Sequence, residues 1–353
     1  MGRSAAAREY NQESEFDAGA LAALSKQPMD KRRILVTGGA GYIGSHTVRL
    51  LLQRGYDAVV VDNLSKGYRH NVPADRLYEM DIADTSALAE LMRQLKTEAV
   101  VHFAAFIAVG ESMAEPERYF ANNTAGSLSL LSAMQAAGVK HIVFSSTAAV
   151  YGNPQAVPIL ESFPIQAVNP YGESKVMVET MLGWFDRIHH LTSVCLRYFN
   201  AAGGAADGRL GEQHEPETHL IPLIVRAALS GKPVTIFGED YDTPDGTCIR
   251  DYIHVEDLAE AHILALEYLL AGGSSDRFNV GTGTGHSVRE VIRAVEEVSG
   301  QKVPYSTGAR RAGDPARLVA SSDKLREKLG WQPRSSDLQT IVSHAWNFAR
   351  QHQ

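Results

Sequence analysis

Tyr171 and Lys175 stand four residues apart in Asn169-Pro170-Tyr171-Gly172-Glu173-Ser174-Lys175. Asn169 is a favoured helix cap and Pro170 suits the first helical position, so a helix is predicted to begin here with both side chains on one face. An ammonium in that place can stabilise a phenolate and draw a tyrosine down from its reference value of ~10, which makes Tyr171 a candidate general base. Ser145-Ser146-Thr147 follows the apolar run Ile142-Val143-Phe144. It is predicted at the carboxyl end of a strand, the edge of an open α/β sheet where ligands bind. Taken alone, Tyr-x-x-x-Lys is as readily a pair on an ordinary surface helix, so its context decides.

That context begins with Thr37-Gly38-Gly39-Ala40-Gly41-Tyr42-Ile43-Gly44, which follows an apolar strand and opens a segment with helical spacing, Tyr42 to Gln53. Glycines 39, 41 and 44 satisfy the dinucleotide fingerprint, and glycines 38, 41 and 44 its wider-spaced variant. Glycine permits the tight turn and lets the backbone approach a pyrophosphate, to which the helix N-terminus offers free amides and partial positive charge. Asp62 ends the next strand, 18 residues after Gly44, near the spacing at which a carboxylate receives ribose hydroxyls. A 2′-phosphate would be repelled there, so NAD is favoured over NADP.

The elements that must position these residues show in the apolar patterning. Ile34-Leu35-Val36, Val59-Val60-Val61, Val100-Val101-His102-Phe103, Ile142-Val143-Phe144 and Ser193-Val194-Cys195-Leu196 recur with amphipathic segments between them. They are apolar at nearly every position, as strands covered on both faces are. The expectation is an α/β fold, a Rossmann-type doubly wound parallel sheet. After Asn200 a Gly-rich stretch, 201–211, breaks the pattern. Beyond it Val234-Thr235-Ile236-Phe237, Asp251-Tyr252-Ile253-His254-Val255 and Phe278-Asn279-Val280-Gly281 read as strands and Ser287 to Ser299 as a helix. The expected division is a flexible leader over 1–31, a dinucleotide-binding domain over 32–200, and a smaller C-terminal α/β substrate domain over 201–350. Some strands within about 251–283 are expected to return to the first domain. Met29 is a plausible alternative start.

Composition narrows the classes. The chain has 353 residues, 44% of them hydrophobic and 21% charged, and a formal net charge of −7, which argues against nucleic acid as a partner. No apolar run is long enough to span a bilayer, and Glu13, Glu15 and Asp17 stand where a targeting peptide would avoid acids. Cys195 and Cys248, the two cysteines, lack C-x-x-C spacing, so no metal centre is expected and a cytoplasmic setting fits.

A strand-end Thr, then Tyr and Lys, behind a glycine fingerprint resemble the short-chain dehydrogenase/reductase family. Within it, sugar-nucleotide dehydratases and decarboxylases carry acids directly after the catalytic Thr, where this chain has Ala148 and Ala149. His102-Phe103-Ala104-Ala105, Asn122-Asn123, Arg197-Tyr198-Phe199-Asn200, Gly246-Thr247-Cys248-Ile249-Arg250-Asp251-Tyr252-Ile253-His254 and Arg311-Ala312-Gly313-Asp314-Pro315 are similar to motifs of the UDP-glucose 4-epimerase family. Similarity runs from about Arg33 to Trp346.

The resemblance implies that Tyr171, Lys175 and Thr147 are catalytic. Tyr171 would take the proton of the sugar 4-hydroxyl while hydride leaves carbon 4 for NAD, and return of the hydride to the opposite face of the 4-keto sugar would invert it. NAD would rest on Gly38, Gly41, Tyr42, Ile43 and Gly44, with Asp62 and Asn63 beyond them and Asp81 and Ile82 flanking the adenine. Phe103, Ala104, Asn122, Ser145, Tyr171, Lys175 and Tyr198 would line the rest. A UDP-sugar would be held by Thr147, Asn200, His219, Leu220, Phe237, Arg250, Tyr252, Arg311, Asp314 and Leu318, the arginines matching a diphosphate. A homodimer through two helices per subunit is implied as well. Three positions depart from common family patterns: Ile107 replaces a lysine near the cofactor, Leu318 a pocket-closing tyrosine, and His219 an asparagine. The preferred sugar stays open among glucose/galactose, their N-acetyl forms and the pentoses. Two rival functions stand beside epimerisation: a sugar-nucleotide reductase, and a dinucleotide sensor without catalysis.

Overall fold

A computed structural model of the chain describes residues 31–310 and 314–352. Apart from Lys31, the leader lies outside the described residues, as does Arg311. The strands are β1 (Arg33–Thr37), β2 (Asp57–Asp62), β3 (Leu77–Glu79), β4 (Ala99–His102), β5 (His141–Thr147), β6 (Thr192–Tyr198), β7 (Asn200–Ala202), β8 (Val234–Phe237), β9 (Ile249–His254), β10 (Asp276–Val280), β11 (Gly285–Ser287), β12 (Tyr305–Gly308) and β13 (Arg317–Leu318).

Seven of them form one parallel sheet in the order β10-β6-β5-β4-β1-β2-β3. Successive strand residues point to opposite faces, and both faces are buried. Ile34, Val36, Val60 and Val143 face one core with Val48 and Leu51 of the helix Tyr42–Gln53 and Leu258, Ala261 and Leu266 of Val255–Leu270. Leu35, Val61, Ile142 and Phe144 face the other, with Leu88, Leu130 and Val178 of the helices Thr85–Leu95, Gly126–Ala137 and Pro170–His189. Burial on both sides is why each run is apolar throughout. Chain order reverses between β1 and β4, and a doubly wound sheet binds ligands at the carboxyl ends of strands beside such a switch.

The later strands divide. β10 joins the edge of the main sheet beside β6, whereas β9 pairs with β7, β11 and β13 in a smaller sheet. β8 and β12 form a separate pair. The helices Leu220–Ser230, Val288–Ser299 and Leu338–Gln351 pack around a further core that includes Ile224, Val291, Ile292 and Ile341. Ser287 caps its helix through a capping box with Glu290, so the helix read from Ser287 begins one residue later. Phe103, read as strand, lies just past β4, although its amide still donates to the Thr37 carbonyl at 2.9 Å. Among the described residues no helix is long and apolar enough to cross a membrane.

Candidate active site

The glycine loop leaves β1 at the switch point. Gly38 has φ +70°, and a Cβ there would lie 2.5 Å from the Ala104 amide nitrogen. A side chain at Gly44 would strike the Gly38 carbonyl oxygen at 2.3 Å. The loop and the chain after β4 can therefore touch only as bare backbone. Gly41 precedes the helix Tyr42–Gln53 and offers no side-chain cap, which leaves first-turn amides free for an anion.

Asp62 is buried at the end of β2. Its carboxylate accepts from the Ala40 amide at 3.0 Å and the Leu64 amide at 2.8 Å. Burial raises its pKa against those two bonds. An ionised carboxylate has about four acceptor positions, so room remains for a ribose diol. Asn63 donates to Asp81 at 2.9 Å, and Ile82 is buried beside them. Free helix amides, a loop with no room for side chains at Gly38 or Gly44 and a carboxylate with spare acceptors together fit NAD. Tyr42 contributes only backbone to that cradle, because its hydroxyl donates to the Gly203 carbonyl at 2.9 Å. Ile43 packs against the core, as does Phe103, whose ring centroid lies 4.6 Å from that of His262. Asn122 donates to Asn123 at 2.9 Å. Ile107 is exposed.

The helix Pro170–His189 starts as its sequence dictates: Asn169 accepts from the Gly172 amide at 2.8 Å and Pro170 occupies the first turn. A Cβ on Gly172 would sit 2.7 Å from the Ala149 carbonyl oxygen, so glycine lets the helix close on the turn after β5. That approach brings Tyr171 to Thr147, the last residue of β5, close enough for the Thr147 side chain to favour the phenolate. Lys175 Nζ donates to the Ser145 carbonyl at 2.9 Å, and the Ser145 hydroxyl lies 2.6 Å from that of Tyr198. Residues expected to be catalytic or to line the cofactor, from β5, β6 and one helix, thus come together at one strand end.

One expectation is corrected. The Tyr171 pKa is raised, not lowered: burial dominates and the Thr147 side chain opposes it. The Lys175 head group is instead bound to the backbone of β5, and burial pulls its own pKa down to about 7 against the attraction of Glu179. An unfolded lysine holds its proton to ~10.4. Between those values the unfolded chain binds more protons, so this group makes stability rise with pH, by up to ~1.4 kcal/mol per unit. Lys175→Met should therefore exceed the parent in stability most near pH 7, and the difference should shrink toward pH 10. Urea unfolding of cofactor-free protein across that range checks it, and a pH-independent difference would contradict it.

Behind Lys175, one turn further along the same helix face, Glu179 is buried, a residue whose role sequence reasoning missed. It accepts from Arg197 at 2.9 and 2.5 Å, from Ser146 at 2.6 Å and from Arg277 at 3.2 Å. Burial would raise its pKa, but these partners, Arg197 first, hold it low. Arg197 also donates to the Tyr151 hydroxyl at 2.9 Å, and that hydroxyl donates to Asn279 of β10 at 2.7 Å. The repeat 171, 175, 179 was the available signal. Asp251 was missed too. It accepts from the amides of Thr282, Gly283 and Ala320 at 2.8 to 3.1 Å, tying two segments to β9.

On the sugar-nucleotide side, β7, β9 and β13 bring several expected residues together. Asn200 donates to the Asp251 carbonyl at 2.9 Å, and Leu318 pairs in register with Arg250. Arg250 and Asp314, both expected on the ligand, are ion-paired with each other. Leu318 packs with Val150, Tyr151 and Ile159, next to the turn after Thr147. Tyr252 lies inside the core of the smaller unit, where burial raises its pKa. His219 and Leu220 start the helix Leu220–Ser230, and Phe237 ends β8 on the separate strand pair.

Known proteins share this arrangement. The model of the NAD dependent epimerase/dehydratase family matches residues 34–281. The UDP-glucose 4-epimerase of Lacticaseibacillus casei is 51% identical over 321 residues, covering 90% of this chain and 97% of that one. The crystal structure of UDP-glucose 4-epimerase from Brucella ovis in complex with NAD has a TM-score of 0.88 at 46% identity, over 90% of this chain and 98% of that one. That of the Bifidobacterium longum enzyme in complex with NAD+ and UDP has a TM-score of 0.84 at 37% identity, over 90% and 98%. Half of all residues shared along nearly the full length of the L. casei protein is a relation of descent: this chain belongs to the NAD dependent epimerase/dehydratase family.

Proposed function

We propose that the protein inverts carbon 4 of a UDP-hexose, interconverting UDP-glucose and UDP-galactose through the 4-keto sugar, with NAD as its cofactor. The observation that carries this reading is the meeting of Tyr171 with Thr147 at the end of β5, where Lys175 is held by Ser145 of the same strand, with Ala148 and Ala149 where a dehydratase would need acids. NAD, when bound, supplies a reversible acceptor for two electrons. Gly38, Gly41 and Gly44 with the first-turn amides would hold its pyrophosphate, and Asp62 its adenosine ribose. Tyr171, whose pKa burial raises, takes the proton of the 4-hydroxyl and later returns it, the positive charge that NAD+ would bring beside it favouring the phenolate, while Thr147 hydrogen-bonds the same oxygen. An ammonium has three donors, so Lys175 keeps donors for a ribose hydroxyl beyond its bond to Ser145.

Inversion requires the sugar to turn while its nucleotide stays anchored. Asn200, Leu220, Phe237, Arg250, Arg311 and Asp314 are the proposed anchor, with the Arg250–Asp314 pair opening to share its charges with diphosphate and ribose. Leu318, His219 and Tyr252 border the sugar side. The exposed apolar side chains of Leu128, Met177, Trp184 and Ile188 on two adjacent helices support a homodimer, and the low cysteine count without C-x-x-C spacing supports a reducing, cytoplasmic setting.

Incubation of purified holoprotein with UDP-galactose and no added NADH should yield UDP-glucose, with parallel reactions on N-acetylated and pentose nucleotides ranking the sugars. Stoichiometric oxidation of added NADH without interconversion would instead identify a reductase.

A further inference from the structure

Glu212, His214, Glu217 and His219 converge in the loop that leads into the helix Leu220–Ser230. One ligand-type atom of each lies within 4.8 Å of all the others. His214 Nδ1 is 3.3 Å from Glu212 Oε1 and 3.7 Å from Glu217 Oε2, and His219 Nδ1 is 2.8 Å from Glu212 Oε1 and 3.2 Å from the other Glu217 oxygen, Oε1. Nitrogen and oxygen ligands about 2.0–2.1 Å from a tetrahedral zinc ion stand roughly 3.3–3.4 Å apart. The four observed separations bracket that spacing.

The surroundings make the cluster unlike a solvated patch of charge. The carboxylates of Glu212 and Glu217 are 5% and 1% exposed, and buried anions need a compensating charge. Two routes supply it with the same net charge: one proton added to each imidazole, or two neutral imidazoles and one divalent cation. The proton route accounts for His219, which sits at hydrogen-bonding distance from Glu212 and Glu217. It leaves His214 Nδ1 sealed from solvent between two carboxylates without a hydrogen bond. An ion at the common centre would engage all four groups at once.

We propose that Glu212, His214, Glu217 and His219 bind one divalent transition-metal ion of the zinc class. The two-nitrogen, two-oxygen donor set suits zinc and its first-row neighbours, not soft monovalent copper. All four tetrahedral positions are filled by protein, which is the form of a structural site without an open place for substrate. The edge of the Tyr42 ring meets His214 at 6.4 Å between centroids, and His219 caps the helix that starts with Leu220. The ion would therefore fasten the 212–219 loop between the first residue of the dinucleotide helix and the start of the helix Leu220–Ser230.

The test uses full-length protein without a histidine tag or chelator, equilibrated with Zn2+, dialysed and assayed for metal by mass spectrometry, beside His214→Gln and Glu217→Gln. The parent should hold about one zinc per chain and each variant should bind it at least ~10-fold more weakly. Zinc should raise the thermal midpoint of the parent and not of the variants. A parent that takes up no zinc at micromolar free metal, a variant with parental affinity, or a preference for Mg2+ or Ca2+ would each overturn the assignment. Should the variants fail to fold, anomalous scattering from parent crystals at the zinc edge decides: a peak among these four side chains upholds the site, and a peak elsewhere refutes it.

Discussion

Tyr171→Phe should lower the rate constant for UDP-sugar interconversion by on the order of 10²–10⁴-fold, the usual contribution of a positioned proton-transfer group, while NAD and UDP still bind. The substitution removes one hydroxyl and keeps the ring, and the ring is what fills the space, because Tyr171 is buried. Its hydroxyl lies by the Thr147 side chain, so the loss falls on the two groups proposed to face the 4-hydroxyl. The proposed cofactor cradle draws on Gly38, Gly44 and Asp62 in other elements, and Lys175 keeps its own bond to Ser145. Single-turnover rates with the bound cofactor, together with calorimetric titration of UDP, separate the two effects. Loss of both ligands with turnover would show Tyr171 to be a packing residue.

Arg197→Met should destabilise the folded chain by about 3–5 kcal/mol, since it strands a buried carboxylate. The side chains of Arg197 and Glu179 are only 4% and 6% exposed, and methionine replaces the aliphatic stem but no donor. Ser146 and Arg277 would remain on Glu179, too few bonds for an anion out of water. The double variant Arg197→Met with Glu179→Leu removes the charge itself and should recover much of the loss, because apolar replacement of a whole buried pair is often close to neutral. Urea unfolding measures all three variants. A double variant as unstable as the two single losses summed would mean that the groups act separately.

How much was legible in advance follows from sequence distance. The glycine loop, the helix cap at Asn169 and the four-residue step from Tyr171 to Lys175 are local patterns, fixed by turn geometry and helix periodicity, and each stands where its residues required. Doubly buried strands likewise announce themselves as unbroken apolar runs. What stayed hidden depends on partners far along the chain: Glu179 meets Arg197 across 18 residues, and Tyr151 meets Asn279 across 128. The behaviour of Lys175 was illegible for a related reason. Helix spacing places its ammonium near a phenol, but the carbonyl of Ser145, 30 residues upstream, claims it. Arg250 and Asp314 were each readable as ligand-binding, and their 64-residue separation concealed that they bind one another.

The edge position of β10 bears on how the protein is made. β6 is complete at Tyr198, yet its outer partner ends at Val280, so for roughly 80 residues of elongation, several seconds at ~5–20 residues per second, its flank stands open. Exposed strand edges recruit other chains. A ribosome pausing within that interval would hold the nascent polypeptide at its stickiest, and chaperone dependence during translation should concentrate there.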